Sequence, residues 1–288
     1  MCSTFVAPNA HLTPIERRFR DNRPADVAFR LGNYAKALLL RIFLFRGCSV
    51  LELGCGFGSN ILKFEASGTS HVTFVDNDYG NIDEIRRRLA NRKHLPGAIS
   101  SYETHLFEYT CDFSTKFLTS RYNFVIAMYS LQHVAKDMLS LPFFFRSCSM
   151  SLISNGLFIA ILPNYERLVK STGPDRQLPN AEKLFSIDTG PEFFSGKSGI
   201  PYSFQVNGQQ IFSEYTLLIS DVLDASSEFF KSYFTGSISD FVGKYEQEYP
   251  SLARSLYTFI LKKGRSRQER SADFDLYNLY DVIILQKK

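Results

Sequence analysis

Buried apolar runs and stretches of helical periodicity alternate along most of the chain. Apolar runs that predict buried strands lie in SVLELGCG (49–56), HVTFVD (71–76), YNFVIAMYS (122–130), GLFIAILPN (156–164) and LYDVIILQKK (279–288), and a further short strand is expected to end near Cys111–Asp112. Apolar positions at helical spacing predict helices over 33–45, 61–67, 82–93, 137–153 and around 215–233. Short strands separated by helices are typical of an open, mostly parallel sheet with helices on both faces. The pattern therefore predicts an α/β, Rossmann-like fold.

Two segments depart from this alternation. Residues 1–28 are polar, proline-bearing and rich in arginine, and we expect a flexible basic arm that is either solvated or in contact with an anionic partner. Residues 165–212 contain many glycines, prolines and serines and keep no long period, which predicts an insertion that forms part of a substrate site. The chain is thus expected to hold one domain over 29–288 with this insertion inside it.

Composition narrows the class of protein without deciding its chemistry. With 44% hydrophobic and 22% charged residues the chain is expected to be globular, and a net charge of +4 permits an anionic partner without requiring one. The five cysteines form no CxxC pair and the five histidines are dispersed, so we expect neither a disulfide framework nor a metal site. No signal peptide or membrane-length apolar run is visible, so no membrane association is expected.

Three alternating glycines follow the first predicted strand, in VLELGCGFGSN (50–60). Gly54, Gly56 and Gly58 allow backbone N–H groups to approach a ligand closely beside the N-terminus of the next helix. The spacing G-x-G-x-G differs from the dinucleotide fingerprint G-x-G-x-x-G, and Glu52 precedes it. A carboxylate there can accept hydrogen bonds from the methionine ammonium group of S-adenosylmethionine.

Acidic residues also stand at the next two predicted strand ends. Asp76, about 20 residues beyond the glycine loop, is placed to bind a ribose diol. Asp112 is predicted to accept from the adenine amino group, with Phe113 against the ring. Three acids in order at successive strand ends favour S-adenosylmethionine as the cofactor. The neighbouring residues expected to contact it as well are Cys55, Asn77 and Tyr129.

Several stretches resemble one methyltransferase family. They are GNYAKALLLR (32–41), the glycine loop, FVIAMYSLQHV (124–134), GLFIAILPN (156–164), YSF (202–204), SEY (213–215) and NLYDVII (278–284). Together they resemble the mRNA cap guanine-N7 methyltransferases over roughly residues 30–288. The glycine loop is shared by all class I methyltransferases, whereas the last three stretches are more specific to the cap family.

The resemblance implies a class I methyltransferase fold and methyl transfer from S-adenosylmethionine to guanine N7 of a GpppN cap. Capped RNA would be the substrate, and a guanylyltransferase or triphosphatase of a capping apparatus is a candidate partner. The resemblance also implies a nuclear location, or a cytoplasmic one for a viral lineage.

The same resemblance implies roles for individual residues. Asn33 and Lys36 would face the site, with Lys36 paired to the cofactor carboxylate. The aromatic–histidine–tyrosine triplet of the family aligns with Gln132, His133 and Val134, so His133 is a catalytic candidate near the acceptor. Glu214 is the second catalytic candidate, because it matches the glutamate that binds the guanine edge. The remaining substrate-binding candidates are Tyr202, Phe204 and Tyr280.

Some positions depart from the family pattern. Phe57, Ser59 and Asn60 stand where the resembling family has lysine, glycine and aspartate. Val134 replaces a tyrosine, and Ser130 stands where an aromatic residue is frequent. These changes affect the predicted cap pocket more than the cofactor site. Two alternatives therefore stay open: a methyltransferase that acts on another RNA base or a small molecule, and a non-catalytic subunit of a capping complex.

Overall fold

A computed structural model of the chain describes residues 24–95, 97–110, 112–117, 120–172, 185–206, 209–261 and 278–288. Within these ranges the side chains are described except at 24–31, 172, 185–186, 204–206, 209–212 and 257–261. The described strands are β1 (Ser49–Leu53), β2 (His71–Asp76), β3 (Ser101–Leu106), β4 (Tyr122–Met128), β5 (Leu152–Pro163), β6 (Phe185–Thr189), β7 (Pro201–Val206), β8 (Gln209–Tyr215), β9 (Phe230–Ser237) and β10 (Tyr280–Lys287). The described α-helices are α1 (Pro24–Phe43), α2 (Ile61–Ser67), α3 (Tyr79–Ala90), α4 (Leu141–Ser151), α5 (Tyr165–Thr172), α6 (Ile219–Ser226), α7 (Ile238–Glu248) and α8 (Pro250–Leu261). Short 3₁₀ helices cover Leu131–Lys136, Met138–Ser140 and Pro191–Ser195.

Seven strands form one sheet in the order β3-β2-β1-β4-β5-β10-β9. The first five are parallel, and β10 runs antiparallel to both β5 and β9. The order reverses between β1 and β4, so the loops that leave these two strands diverge and open a crevice at the carboxyl edge of the sheet. In open α/β sheets ligands bind at such a switch point. This confirms the predicted mostly parallel sheet.

Helices cover both faces of this sheet, because a parallel sheet is apolar on both sides. Successive side chains of a strand point to opposite faces. Val50 accordingly packs with residues of α1, α2, α3 and α7, whereas Leu51 and Leu53 pack with residues of α4 and α6. Glu52 shares the face of Val50 and therefore lies under α1 and α2. The alternation along β1 thus places the Glu52 carboxylate on the side of the sheet that α1 and α2 cover.

Phenyl rings fill the α4 face of the sheet. Phe158 on β5 lies between Phe144 and Phe145 of α4 and Phe230 of β9, with ring centroids 6.1, 5.4 and 6.3 Å from its own. All four rings are buried. Most of these contacts are edge-to-face, the geometry that aromatic quadrupoles prefer. The high phenylalanine content of the chain, 27 residues with no tryptophan, is thus used to build this core.

A small second layer lies between Tyr165 and Tyr215, a segment that includes the residues of the predicted insertion. After α5 the chain makes a three-stranded antiparallel sheet, β6-β7-β8, which packs over a third apolar cluster containing Tyr165, Phe193 and Leu279. In this sheet Tyr202 of β7 pairs directly with Glu214 of β8. Directly opposed residues of an antiparallel pair project from the same face. The pairing of β7 with β8 therefore brings these two side chains together.

Several boundaries differ from the sequence prediction. Helix α1 begins at Pro24, so residues 24–28 of the predicted arm are helical, and the rest of the arm lies outside the described residues. Strand β3 ends at Leu106 and not near Cys111–Asp112. The predicted helix around 215–233 is only α6, and β9 follows it. None of the described helices is long and apolar enough to cross a membrane.

The phenylalanine core gives a stability test. Phe158→Ala removes a fully buried ring, and large-to-small changes of this kind cost about 3–5 kcal/mol because the cavity collapses only partly. The matched control is Phe143→Ala, since Phe143 is about half exposed on α4. Denaturant unfolding should show a much lower midpoint for the first variant and little change for the second. Equal midpoints would contradict the packing described for β5.

Candidate active site

The loop after β1 is built on glycines in the left-handed backbone region. Gly54, Gly56 and Gly58 have φ of 66°, 51° and 74°. A Cβ on Gly54 would lie 2.4 Å from Ser130 Cβ and 2.6 Å from the hydroxyl oxygen of Tyr109. A Cβ on Gly56 would meet no heavy atom of the described residues within 4 Å. The loop is therefore tightly backed at Gly54 and open at Gly56, where a ligand can approach the backbone.

Asp76, at the end of β2, accepts a hydrogen bond from the backbone of this loop. Its Oδ2 accepts from the Gly56 N–H at 2.8 Å, and its Oδ1 accepts from the Asp78 N–H at 3.0 Å and from Asn81 Nδ2 at 2.9 Å. Burial raises the pKa of Asp76, while these hydrogen bonds oppose the rise. The predicted neighbour Asn77 donates to Glu108 Oε2 at 3.1 Å. The structure thus places Asp76 against the glycine loop, whereas Asn77 is exposed beside it.

Glu52 is buried beneath the loop with half of its carboxylate unused. Asn60 Nδ2 donates to Glu52 Oε1 at 2.6 Å, whereas Oε2 has no hydrogen-bond partner among the described residues. Burial raises the pKa of Glu52 to about 7, although Asn60 and the Lys36 ammonium group both oppose the rise. A buried acceptor without a donor costs about 1–3 kcal/mol. The arrangement is suited to a ligand that brings a cationic N–H donor.

Two lysines meet at the outer side of the loop. Lys36 on α1 donates to Ser59 Oγ at 3.3 Å, and its ammonium lies 5.4 Å from the ring centroid of Tyr129. Lys63 on α2 donates to the Ser59 carbonyl at 2.8 Å and to Asn33 Oδ1 at 3.1 Å. Burial lowers the pKa of Lys36 to about 8 and that of Lys63 to about 7. Sequence reasoning missed Lys63, because its place on an amphipathic helix gives no signal.

The acceptor side of the crevice centres on Glu214. Its Oε2 accepts from the Tyr202 hydroxyl at 2.6 Å and its Oε1 from Gln132 Nε2 at 3.2 Å. Burial raises the pKa of Glu214, and the nearby His133 is the largest influence that opposes the rise. Burial lowers the pKa of His133 in turn. The predicted catalytic residues His133 and Glu214 therefore lie in one site with Tyr202. Gln132 belongs to the same site and was not predicted as a site residue from the sequence.

A tyrosine pair lies between the two halves of the crevice. The ring of Tyr129 stands edge-on to that of Tyr280, with centroids 5.1 Å apart. Tyr129 has φ of 59°, an uncommon conformation for a residue other than glycine that is often found at functional sites. The predicted residues Tyr129 and Tyr280 thus connect Lys36 on the loop side with Glu214 on the acceptor side.

Three predicted residues are placed differently. Asp112 is exposed and accepts from the Ser147 hydroxyl and the Ser114 N–H, both at 2.8 Å, and Phe113 is enclosed by core rings. Because β3 ends earlier than expected, Tyr109 is the residue after it that lies against Gly54. The side chain of Cys55 is buried in the apolar core, so only its backbone borders the loop. The side chain of Phe204 lies outside the described residues.

Comparison with known proteins identifies the family. The profile described as mRNA (guanine-N(7))-methyltransferase domain matches residues 11–264. The chain belongs to the mRNA cap guanine-N7 methyltransferase family. Members of this family methylate guanine N7 of the mRNA cap with S-adenosylmethionine as cofactor, so the predicted enzyme class, cofactor and capped-RNA substrate are confirmed.

Two curated relatives agree with this assignment, and a solved structure shares the fold. The chain is 22% identical to mRNA cap guanine-N(7) methyltransferase 1 of Oryza sativa subsp. japonica, over 93% of this chain and 77% of the rice protein. A shorter match to the Drosophila melanogaster mRNA cap guanine-N(7) methyltransferase is 26% identical and covers 44% of this chain and 32% of the fly protein. A structure from Methanosarcina mazei, titled as an S-adenosylmethionine-dependent methyltransferase, has the same fold, with a TM-score of 0.53 and 14% identity over 86% of this chain and 96% of that one.

The residues of this cap methyltransferase fit its cofactor. S-adenosylmethionine carries an ammonium group, a carboxylate and a ribose diol. The unpartnered Glu52 Oε2 suits the ammonium group, and the open face of Gly56 admits a ligand to the backbone. Among the described residues no cluster of histidine, cysteine or acidic side chains could hold a metal ion.

The crowding behind Gly54 can be tested with two alanines. Gly54→Ala and Gly47→Ala both place a side chain in the left-handed region, at φ of 66° and 87°, but only the first meets neighbouring atoms within 4 Å. Overpacking costs about 1–3 kcal/mol, so Gly54→Ala should weaken S-adenosylhomocysteine binding about tenfold or more by calorimetry. Gly47→Ala should bind like the wild type. Equal affinities would show that the loop does not need the close approach.

The elevated pKa of Glu52 predicts a pH-dependent affinity. A pKa of about 7 means that Glu52 is mostly ionised at pH 8 and mostly protonated at pH 6. Only the ionised form accepts two donors, so its contribution to cofactor affinity should fall about tenfold from pH 8 to pH 6. Lys36 and Lys63 gain protons as the pH falls and favour the cofactor carboxylate, which is the opposite trend.

The comparison with Glu52→Gln separates these effects, because that variant keeps both lysines. Calorimetric titration of S-adenosylhomocysteine at pH 6, 7 and 8 should show the wild-type advantage over the variant shrinking as the pH falls. A ratio that stays constant with pH would exclude Glu52 as the titrating acceptor.

Proposed function

We propose that this chain methylates guanine N7 of GpppN-capped RNA through the two half-sites of the crevice, with Glu214 binding the guanine. The observation that carries the proposal is the buried Glu214 carboxylate, which lies beside His133 and Tyr280 next to a glycine loop suited to S-adenosylmethionine. A carboxylate accepts from the N1–H and N2–H donors of guanine, whereas adenine presents no such adjacent pair. The arrangement therefore favours guanine over adenine as the acceptor base.

The reaction needs positioning more than it needs a base. Guanine N7 carries a free lone pair and loses no proton when it is methylated, so no side chain has to remove one. The base becomes cationic as the methyl group arrives. An ionised carboxylate at the N1/N2 edge stabilises that charge, and a site that holds the base in line with the methyl group supplies the rest.

On the cofactor side, we assign each charge of S-adenosylmethionine a partner. Glu52 Oε2 accepts from the methionine ammonium group, and Lys36 pairs with the carboxylate. Asp76 binds the ribose diol from its place beside Gly56, and Asn77 lies next to it. The N–H groups of residues 54 and 55 donate to the Val75 carbonyl and that of Gly56 to Asp76, so these residues offer the methionine portion their backbone surface and no free donors. The cofactor supplies the methyl group as a sulfonium, and these residues bind and orient it.

On the acceptor side, His133 acts as a neutral neighbour of the base. Burial lowers the pKa of His133, so the imidazole is uncharged near neutral pH and does not repel the cationic product. Tyr202 donates to Glu214, and this hydrogen bond opposes the rise that burial causes in the pKa of the carboxyl group. Tyr280 packs beside the base, and Asn33 and Phe204 complete the proposed substrate set.

The location and partners follow from the substrate. Capped transcripts are made in the nucleus, or in the cytoplasm by viruses that replicate there, and we propose one of these two sites of action. A guanylyltransferase or triphosphatase produces the GpppN end that this reaction consumes and is a proposed partner. The basic segment at the start of the chain, which has arginines at 17, 18, 20 and 23, is suited to RNA phosphates.

A second candidate function has one specific observation in its favour. Val134 and Ser130 are both buried, and the Ser130 hydroxyl donates to the Leu53 carbonyl at 2.8 Å. Neither forms an aromatic wall for a cap guanine, as the family residues at these positions would. A different RNA base or a small molecule is therefore the alternative acceptor. The intact glycine loop with Asp76 speaks against a non-catalytic subunit.

The decisive assay uses labelled S-adenosylmethionine and GpppG-capped RNA, with nuclease digestion to locate the label. Label on N7-methylguanine supports the proposal, and label elsewhere or only on uncapped RNA supports the alternative. Glu214→Gln replaces the acceptor of two charge-assisted hydrogen bonds, each worth about 1.5–3 kcal/mol, so kcat/KM for capped RNA should fall about 100-fold or more. Binding of S-adenosylhomocysteine should be unchanged.

The matched control is Glu192→Gln, an exposed glutamate of the same inserted layer, which should keep wild-type kinetics. Wild-type turnover of capped RNA by Glu214→Gln would refute the proposed acceptor site.

A further inference from the structure

Gln132 lies at the junction of the cofactor and acceptor sides. It is fully buried in the 3₁₀ helix that follows β4. Its two Nε2 hydrogens go to different partners, the Tyr129 carbonyl at 3.0 Å and Glu214 Oε1 at 3.2 Å. One amide group therefore joins the backbone of the strained residue Tyr129 to the carboxylate proposed to bind guanine.

The orientation of this amide is fixed by its partners. Both are acceptors, so a reversed amide would set its carbonyl oxygen against two other oxygens. This orientation leaves the carbonyl oxygen of the amide unsatisfied, because Gln132 Oε1 is buried with no hydrogen-bond partner among the described residues. An unsatisfied buried acceptor of this kind costs about 1–3 kcal/mol. A glutamine kept for stability alone would satisfy both ends, so the function of Gln132 lies in what its nitrogen holds.

We propose that Gln132 is a positioning residue for cap methylation, which fixes the Glu214 carboxylate and ties it to the main chain of Tyr129. The inference rests on the proposed role of Glu214. Each carboxylate oxygen has two lone pairs. With Gln132 on Oε1 and Tyr202 on Oε2, the carboxylate plane is set and one lone pair on each oxygen is left. Two parallel acceptors match the adjacent N1–H and N2–H donors of guanine.

The connection depends on the amide of Gln132. A side chain with only one N–H or O–H hydrogen cannot donate to both the Tyr129 carbonyl and Glu214. The glutamine thus provides a connection that residues 129, 132 and 214 of this sequence make together. Because Lys36 lies over the Tyr129 ring, the same connection reaches the cofactor side.

Gln132 also affects the charge of Glu214. The titratable groups that face this carboxylate are His133 from the 3₁₀ helix, Tyr202 from β7 and Tyr280 from β10. Burial lowers the pKa of His133 and raises the pKa of both tyrosines, so all three are neutral near pH 7. Burial raises the pKa of Glu214, and after His133 the hydrogen bonds from Tyr202 and Gln132 oppose that rise. Loss of the Gln132 donor should raise the pKa of Glu214 further.

The first test is Gln132→Met, which keeps the length of the side chain and removes both hydrogen bonds. We expect the KM for GpppG-capped RNA to rise about tenfold, the equivalent of one hydrogen bond to a charged group. The acidic limb of the kcat/KM profile should move to higher pH, and S-adenosylhomocysteine affinity should stay at the wild-type value. The matched control is Gln286→Met, at the far end of β10, which should change none of these.

The second test asks whether Gln132 acts through Glu214. In a Glu214→Gln background, Gln132→Met should change kcat/KM less than twofold, because the carboxylate that it positions is gone. A full tenfold effect in that background would overturn the proposal, as would a wild-type KM for Gln132→Met alone. A wild-type enzyme that does not methylate capped RNA would instead refute the proposed function, and this inference with it.

A near-isosteric variant covers the case in which Gln132→Met does not fold. In Gln132→Glu the introduced carboxyl can donate to Glu214 only while it is protonated, and two carboxylates this close share one proton. Activity on capped RNA should therefore fall as the pH rises, the opposite sign to Gln132→Met. A profile parallel to that of the wild type would contradict the positioning role.

Discussion

The close approach of Gly54 to Ser130 is the constraint on which the site depends. It brings the end of β1 against the end of β4 at the point where the strand order reverses, and the Ser130 hydroxyl fixes the distance by donating to the Leu53 carbonyl. Glu52 and the glycine loop belong to β1 and the residues after it, whereas Tyr129, Gln132 and His133 follow β4. Because a side chain at Gly54 would meet Ser130 and Tyr109, the glycine lets these two groups of residues lie close together.

The site also concentrates buried charge in a way that a purely structural core would avoid. Glu52, Glu214 and Lys36 are buried, and Lys63 is partly buried. Burial alone would neutralise such groups. Hydrogen bonds oppose the rise that burial causes in the pKa of each glutamate. Asn60 donates to Glu52, and Tyr202 and Gln132 donate to Glu214. A ligand that donates a hydrogen bond to either carboxylate therefore stabilises its ionised form.

Sequence patterns predicted the parts of this architecture that depend on local chemistry. Strands β1, β2 and β4 read as continuous apolar runs because both faces of the sheet are covered, and Asp76 could be placed because it ends one of them. Strand β3 is at the sheet edge and largely exposed, so it gives no apolar run, and Asp112 was assigned to its end in error. The contact between Gln132 and Glu214 joins residues 82 positions apart and depends on tertiary packing alone.

The residues of the glycine loop that depart from the family pattern, Phe57, Ser59 and Asn60, have a common explanation. Ser59 offers its hydroxyl to Lys36 and its carbonyl to Lys63, so two ammonium groups reach the loop although position 57 holds phenylalanine. Asn60 donates to Glu52 at 2.6 Å, and the aspartate of the resembling family at this position would put a second carboxylate against it. Like charges at that distance cannot both ionise. Asn60 therefore leaves Glu52 able to accept from a cation. Lys36 and Lys63 supply positive charge beside the loop, which Phe57 does not.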